Sequence, residues 1–551
     1  MNIITLKDFN LGGIADSKLQ GGANSLAEMV GCDIHSEPGF LKVNQKLTEE
    51  SEGVIDELIK SIVTCSDGFA YAFGATNGGI FKRTSAGVWT KEATASPAIG
   101  SAGIIDAREY QGYIYYAMQS RLGRVAVGAP TDWSGRDDSW ATFTNTDTDF
   151  HPMEENNQVL YIGDKNYVAQ VDAGVFSANA LDIKDPLRIK ALGTILTDLV
   201  VGTFVSTVRV ATEILRWNTW SESFSVADPI PEAGINAFLA TDNYRLVNAG
   251  RKGNIYSYDG QNLNNYKRIP GNWVGSATAL IHPNATANMF GLPLLGLSNI
   301  SGNPAKQGVY SLGSYDRNYP EVLNLEWLIS RGTSENIDIG AIAIVGTDIL
   351  VSWQEQLTAT VTIASPGVVT ITNHGFSDGD PISFTTTGAL PTGITAGTVY
   401  FVGTVDVNEF YLYDTAAHAI AGGSTGRVNT SGSQSGTHTA SIWGVDVVDT
   451  TAKVTSAYIA TRAINVVRNE EKQVTCYAGY RSLPENTSIK FYQKANWAST
   501  WTEMTTKVDT DRCIVMTDEF TPDANVIEIK CELNSYGNTS PEIDVIELAF
   551  N

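Results

Sequence analysis

Five aspartates, Asp132, Asp137, Asp138, Asp147 and Asp149, fall in one turn-rich stretch of the 551-residue sequence. Clustered carboxylates are what a calcium ion takes, but a calcium loop needs Asp-x-Asp-x-Asp-Gly with a distal Glu, and that spacing is absent. A solvated acidic loop accounts for the same residues. Phosphate chemistry finds no loop either, because Gly21-Gly22 and Gly78-Gly79 have no following Lys-Ser or Lys-Thr and open no helical pattern. No nucleophile elbow is recognised, that is, a Gly-x-Ser-x-Gly turn leading from a strand into a helix. The six histidines (His35, His151, His282, His374, His418, His438) are not paired at ligand spacing. Cys32, Cys65, Cys476, Cys513 and Cys531 are odd in number and widely spaced, which suits reduced, buried thiols.

Glycoside cleavage would require two carboxylates on converging loops. With 60 Asp and Glu in the chain, no pair stands out. The Ser-x-Asp-x-Gly-x-x-Trp turn of sialidase-type propellers is present only as fragments, Ser66-Asp-Gly68 and Ser85-Ala-Gly-Val-Trp89. The expectation is a protein without catalytic residues, metal or cofactor. What remains is binding chemistry. Trp133, Trp140, Trp217 and Trp220 sit in loop-like stretches and could stack on the apolar face of a sugar ring; alternatively they fill cores between sheets. His374 and Phe376, in a turn of the segment at 358–441, are added as possible contacts to a host or partner.

The elements that must position these residues read as β-strands. Charged residues make up only 18% of the chain, Gly is abundant at 51, and no long Ala/Leu/Glu/Lys block exists, which favours short strands and turns. Residues 1–50 look like an extended N-terminal arm, with a short helix expected near 25–30 capped by Asn24. From 51 to 357 a strand–turn–strand unit recurs about every forty residues, the period of four-stranded propeller blades. Its members include Gly68-Phe-Ala-Tyr-Ala-Phe73, Gly112-Tyr-Ile-Tyr-Tyr116, Gln158-Val-Leu-Tyr-Ile162, Asp198-Leu-Val-Val201, Tyr244-Arg-Leu-Val247, a unit opening at Ala277, and Asp348-Ile-Leu-Val-Ser-Trp353. Seven such units fit a closed propeller, since a ring buries the faces between blades; a series of β-sandwiches is the competing tiling.

The seventh unit stops in mid-blade, and Gly444-Val-Asp-Val-Val448 supplies the missing partner of Ile349-Leu-Val-Ser-Trp353. Residues 358–441, rich in Thr, Gly and Ser, then form a small five-strand module inserted at a hairpin, returning through a flexible Gly/Ser/Thr run at 422–439. Residues 442–462 close the propeller, with 454–459 as a further strand. From 463 to 551, strands such as Ala463-Ile-Asn-Val-Val467 and the alternating Val526-Ile-Glu-Ile-Lys-Cys-Glu-Leu533 indicate an antiparallel β-sandwich. The predicted fold class is all-β: a seven-bladed propeller, an inserted small β domain and a C-terminal sandwich.

A net charge of −23 disfavours direct contact with a nucleic-acid backbone, which calls for a positive surface. No stretch reads as a membrane span or a secretory leader, so assembly in a cytoplasm is expected.

The stretch His374-Gly-Phe-Ser-Asp-Gly-Asp-Pro-Ile-Ser-Phe384, continuing to Val399-Tyr-Phe-Val402 and Asn408-Glu-Phe-Tyr-Leu412, resembles a small β module of bacteriophage tail and other virion proteins. Gly308-Val-Tyr-Ser-Leu-Gly-Ser-Tyr-Asp-Arg-Asn-Tyr-Pro320 resembles a segment of propeller-bearing phage tail proteins, and Tyr480-Arg-Ser-Leu-Pro-Glu-Asn-Thr-Ser-Ile489 is similar to their terminal sandwich. The resemblance implies a structural tail component, a hub, nozzle or fibre-anchoring protein, located in the virion tail. Its partners would be other tail proteins, with a homo-oligomeric ring expected from tail symmetry. Two other functions stay open: a receptor-binding protein for a host surface glycan, and a polysaccharide depolymerase.

Overall fold

The computed structural model describes residues 2–551 apart from 16, 18, 20–23, 52, 93–102, 148, 206–211, 233, 242–244, 250–252, 270–280, 299–305, 314–321, 332–335, 467–472, 511 and 520–523. Gly21-Gly22, Tyr244, Ala277, the 314–320 part of the tail-like segment and Val467 lie outside the described residues. Among the described residues the chain is all-β, with one six-residue α-helix, Ala416–Ala421, and two short 3-10 turns.

Inner strands buried on both faces, such as Ala70–Gly74 and Leu292–Leu297, and solvated outer strands, such as Asp137–Thr142, are joined by tight turns into consecutive four-stranded antiparallel sheets. They begin with Ile59–Thr64, Ile104–Tyr110, Met153–Asn156, Arg188–Ile195, Ile235–Ala240 and Thr286–Met289. Hairpin turns such as Gln111-Gly112 take positive φ at both residues (47° and 78°), the twist-matched geometry that joins neighbouring strands with two residues. One further sheet combines Ile337–Val345, Asp348–Val361, His438–Lys453 and the N-terminal Gln45–Glu49. The first strands touch in cyclic order, each against the next, and Ile337–Val345 returns to Ile59–Thr64. That closed ring of radial sheets is a β-propeller.

Aromatic and aliphatic residues fill the wedges between sheets. Trp133, Tyr71 and Phe73 pack between the first two, and Trp217, Tyr161 and Leu199 between the third and fourth. The strands 348–361 and 438–453 stay paired from Leu350↔Val447 out to Ala359↔His438, beyond the ring. Past it they join Val368–Thr370, Glu409–Tyr413, Val399–Thr404 and Pro381–Thr386 in a closed circuit of six strands around Phe384, Val402 and Phe410. The Gly/Ser/Thr run expected to be a loose return is instead pinned. Ser431 and Ser435 exchange backbone bonds with Thr392 and Ala389, and Thr430 Oγ1 donates to Thr362 O and Ala364 O.

Two further expectations are corrected. The segment 25–30 is no helix: Glu28–Val30 is a strand between Leu323–Trp327 and Ser456–Ala460, because two open sheet edges claim its backbone groups, and Met29 and Val30 are buried. Ser456–Ala460 in turn does not close the propeller; it pairs with Val526–Asn534. The last strand of the sixth ring sheet therefore continues, through Glu28–Val30, into the sheet of the C-terminal unit. A second sheet, running Asn2–Leu6, Glu542–Phe550, Gln473–Ser482, Cys513–Glu519 and Thr506–Thr510, shares one core with it through residues such as Cys476, Phe491, Ile529 and Leu548. The N-terminal arm is thus woven into three sheets.

Candidate functional site

Each first strand pairs on one side only and turns its other edge to the ring axis, where these strands enclose a channel. Five of them carry a β-bulge at the same place: pairing skips Lys60, Ile105, Lys190, Asn236 and Gly340. A bulge re-aims the side chain of the extra residue. Lys60, Ile105, Lys190 and Gly340 accordingly line the narrow end of the channel, together with Asp149, His151, His282 and Asn284. Beyond this constriction the channel widens into a chamber of about 530 Å³, lined by Ser61, Asp106, Arg108, Glu154, Phe238 and Asn284 among others. That volume is in the range of small-ligand sites.

Asp106 separates the two compartments. Its Oδ1 accepts from Ser61 Oγ (3.0 Å), Asn284 Nδ2 (2.8 Å) and its neighbour Ala107 N (2.8 Å), and its Oδ2 accepts from Met153 N (3.1 Å). Burial pushes the carboxyl up to about 6, although all these donors favour the charged form. In the narrow end Lys190 Nζ donates to Asn236 Oδ1 (2.8 Å), which Asn236 Nδ2 extends to Asn248 Oδ1 (2.9 Å). Burial lowers the Lys190 ammonium to about 8, opposed by the charge of Asp149. His282 Nε2 lies 2.9 Å from Asp338 Oδ1. In the chamber Arg108 bridges Glu154 Oε2 (2.9 Å) and Met153 O (2.9 Å), while Thr194 Oγ1 donates to Glu154 Oε1 (3.0 Å). The arrangement can accept and donate hydrogen bonds around a polar guest.

The aromatic side chains singled out from sequence do not converge on one site, although His374 and Phe376 touch each other. Trp133 is wholly buried, edge-on to Tyr71 (5.4 Å) and Phe73 (5.9 Å), and Trp217 is buried with Nε1 donating to Ser221 O (2.8 Å). His374 and Phe376 are buried beside the six-strand circuit that holds Phe410, stacked 4.8 Å apart, with the Phe376 N–H donating to His374 Nδ1. These four are core residues rather than contacts, since a large apolar or aromatic ring gains more from a wedge than from solvent. Trp140 is half-buried under the Arg124 guanidinium (4.3 Å), and Trp220, 88% exposed, faces solvent. Asp132 caps Ser134, Asp138 pairs with Arg136 and Asp147 lies 3.6 Å from Arg188, whereas Asp149 lines the channel. Among the described residues no cluster of potential ligands fits a metal ion. Gly422-Gly-Ser-Thr-Gly426 does match the nucleophile-elbow spacing but follows the helix Ala416–Ala421 instead of preceding one.

Apart from Asp149 in the acidic stretch, the channel residues escaped the sequence reading, though a signal existed. Aligning the repeats sets Ile59-Lys-Ser61, Ile104-Ile-Asp106, Ile189-Lys-Ala191, Ile235-Asn-Ala237 and Ile339-Gly-Ala341 in one column, where an isoleucine precedes the bulged residue and a small or polar residue follows it.

No family model and no curated protein matches the chain. Solved structures that match include the computationally designed Ika8 protein (12% identity, 66% of this chain and 98% of that one, TM-score 0.36). A streptogramin B lyase matches at 12% identity (56% and 94%, TM-score 0.39), and the WD40 repeats of RRP9 match at 10% (56% and 92%, TM-score 0.41). Likeness at this level bears on no function.

Proposed function

We propose that the chain is a non-enzymatic structural component of a bacteriophage tail complex, a hub, nozzle or fibre-anchoring protein that acts by protein–protein assembly in the virion. In this reading the ring is a seven-bladed propeller carrying an inserted small β domain and a C-terminal β-sandwich. One observation carries it: the units are sewn together through shared sheets. Gln45–Glu49 completes the last ring sheet, Glu28–Val30 bridges ring and C-terminal unit, and the inserted barrel stands on a double strand continuous with the ring. Continuous backbone ladders transmit force between units with little hinge freedom, which suits a load-bearing part. The resemblance of 374–412 to tail-protein modules points the same way. Arg331 stiffens the mount further, its guanidinium bonding Glu355 and the carbonyls of His374 and Gly375. Mass spectrometry of purified virions and of their tail fractions tests the proposal: the chain is expected in the tail fraction at stoichiometric level, and its absence there overturns the role.

A second reading, recognition of a host surface glycan, is favoured by the exposure of Trp220. It requires cell binding by the isolated chain that is lost on Trp220→Ala or on removal of 358–441.

A further inference from the structure

We propose that the wide chamber of the axial channel is a binding site for a neutral saccharide. This site stands whether or not the chain assembles into a tail.

Three features support the chemistry. First, the chamber is built by the first strands of several sheets, so its walls are held by the whole ring rather than by one loop. Second, donors and acceptors interleave at hydrogen-bond spacing: Arg108 beside Glu154, Asn284 and Ser61 beside Asp106, Thr194 beside Glu154. Sugar hydroxyls both donate and accept, so a wall of alternating carboxylate, amide, guanidinium and hydroxyl groups satisfies vicinal hydroxyls where a wall of one kind would not. Third, Phe238 borders the chamber and supplies an apolar surface for the C–H face of a pyranose. Its ring is seated on two glycines: a Cβ on Gly193 would lie 3.3 Å from it and one on Gly202 3.0 Å. The missing side chains are what let an aromatic ring lie there.

Charge sets the selectivity. Among the described residues, Asp106, Glu109, Glu154 and Glu155 line the chamber against one cation, Arg108, which Glu154 already engages. An acidic sugar entering this field meets net repulsion, whereas a neutral one does not. Strand polarity places the chamber toward the end where the first strands finish, opposite the constriction and opposite the side from which the inserted barrel leaves. A guest therefore enters without displacing the barrel.

The test is saturation-transfer difference NMR on the full chain with glucose, galactose, mannose and N-acetylglucosamine, and with N-acetylneuraminic acid as the acidic counterpart. At least one neutral sugar is expected to receive saturation, and the acidic sugar none. Arg108→Gln and Phe238→Leu are each expected to abolish the signal with an unchanged thermal melt, while Trp220→Ala retains it. Silence from every neutral sugar, equal response from the acidic one, or loss of signal in Trp220→Ala but not in the chamber variants overturns the assignment.

Discussion

Trp353 and Asp446 meet across two paired strands, although some ninety residues of chain lie between them. The indole Nε1 donates to Asp446 Oδ1 at 2.7 Å, with both side chains buried, and the ring lies over Gly444, its directly paired neighbour. Asp446 also accepts from Ser330 N and Oγ at 2.7 Å each, which fixes the chain on its way into the last ring sheet. The carboxylate thus joins three segments distant in sequence.

Asp446→Ala is expected to destabilise the chain by about 1–3 kcal/mol, the cost of leaving buried donors unsatisfied. A double-mutant cycle with Trp353→Phe should return a coupling energy on the order of 1 kcal/mol in urea unfolding. Additive effects would mean that the bond contributes nothing.

Gly444→Ala is expected to cost about 1–3 kcal/mol, because the new Cβ would sit 2.5 Å from the Trp353 ring in a packed interior. Unchanged unfolding midpoints would show that the indole can move aside.

The pH dependence follows from Asp106 and Asp446, both pushed up by burial to about 6. An unfolded Asp titrates near ~3.9, so between pH ~4 and ~6 the unfolded chain loses these protons while the folded chain keeps them. The stabilising contribution is full below pH ~4 and is lost as pH rises through ~6. Asp106→Asn and Asp446→Asn carry no such proton, so relative to the parent each should gain on the order of 1–3 kcal/mol between pH 4 and pH 7. Urea titrations at pH 4, 5, 6 and 7 check this; parallel profiles for parent and variants refute it.

Replacing 360–437 by Asn-Gly should leave a folded ring, because Ala359 and His438 are already paired and a two-residue turn can join them. Deleting residues 1–50 should abolish folding, since it strips a strand from three sheets. Circular dichroism melts and gel filtration separate the two outcomes, and a folded product from the N-terminal deletion would refute the structural role given to these strands.

Trp133→Ala is expected to cost about 3–5 kcal/mol, as for a large ring removed from a core. Trp220→Ala should change stability by no more than about 0.5 kcal/mol, as for an exposed position. Thermal unfolding of the pair reads directly whether loop position or wedge packing describes these indoles.

The sequence by itself determined the strand content, the forty-residue recurrence and the interruption after 353, because each is written in local periodicity and turn residues. Ile349-Leu-Val-Ser-Trp353 and Gly444-Val-Asp-Val-Val448 are apolar runs of matching length, and they pair across the insertion. Only the tertiary structure decided where Glu28–Val30, Gln45–Glu49 and Ser456–Ala460 go, since the partner that claims a short strand is an open edge far away in the chain. The same holds for the aromatics. A tryptophan in a loop has one local signature whether it caps a wedge, as Trp133 does, or faces water, as Trp220 does. The channel too is a product of closure: Lys60, Asp106 and Lys190 belong to separate sheets and Asn284 to the turn that enters another, and the ring alone sets them around one axis.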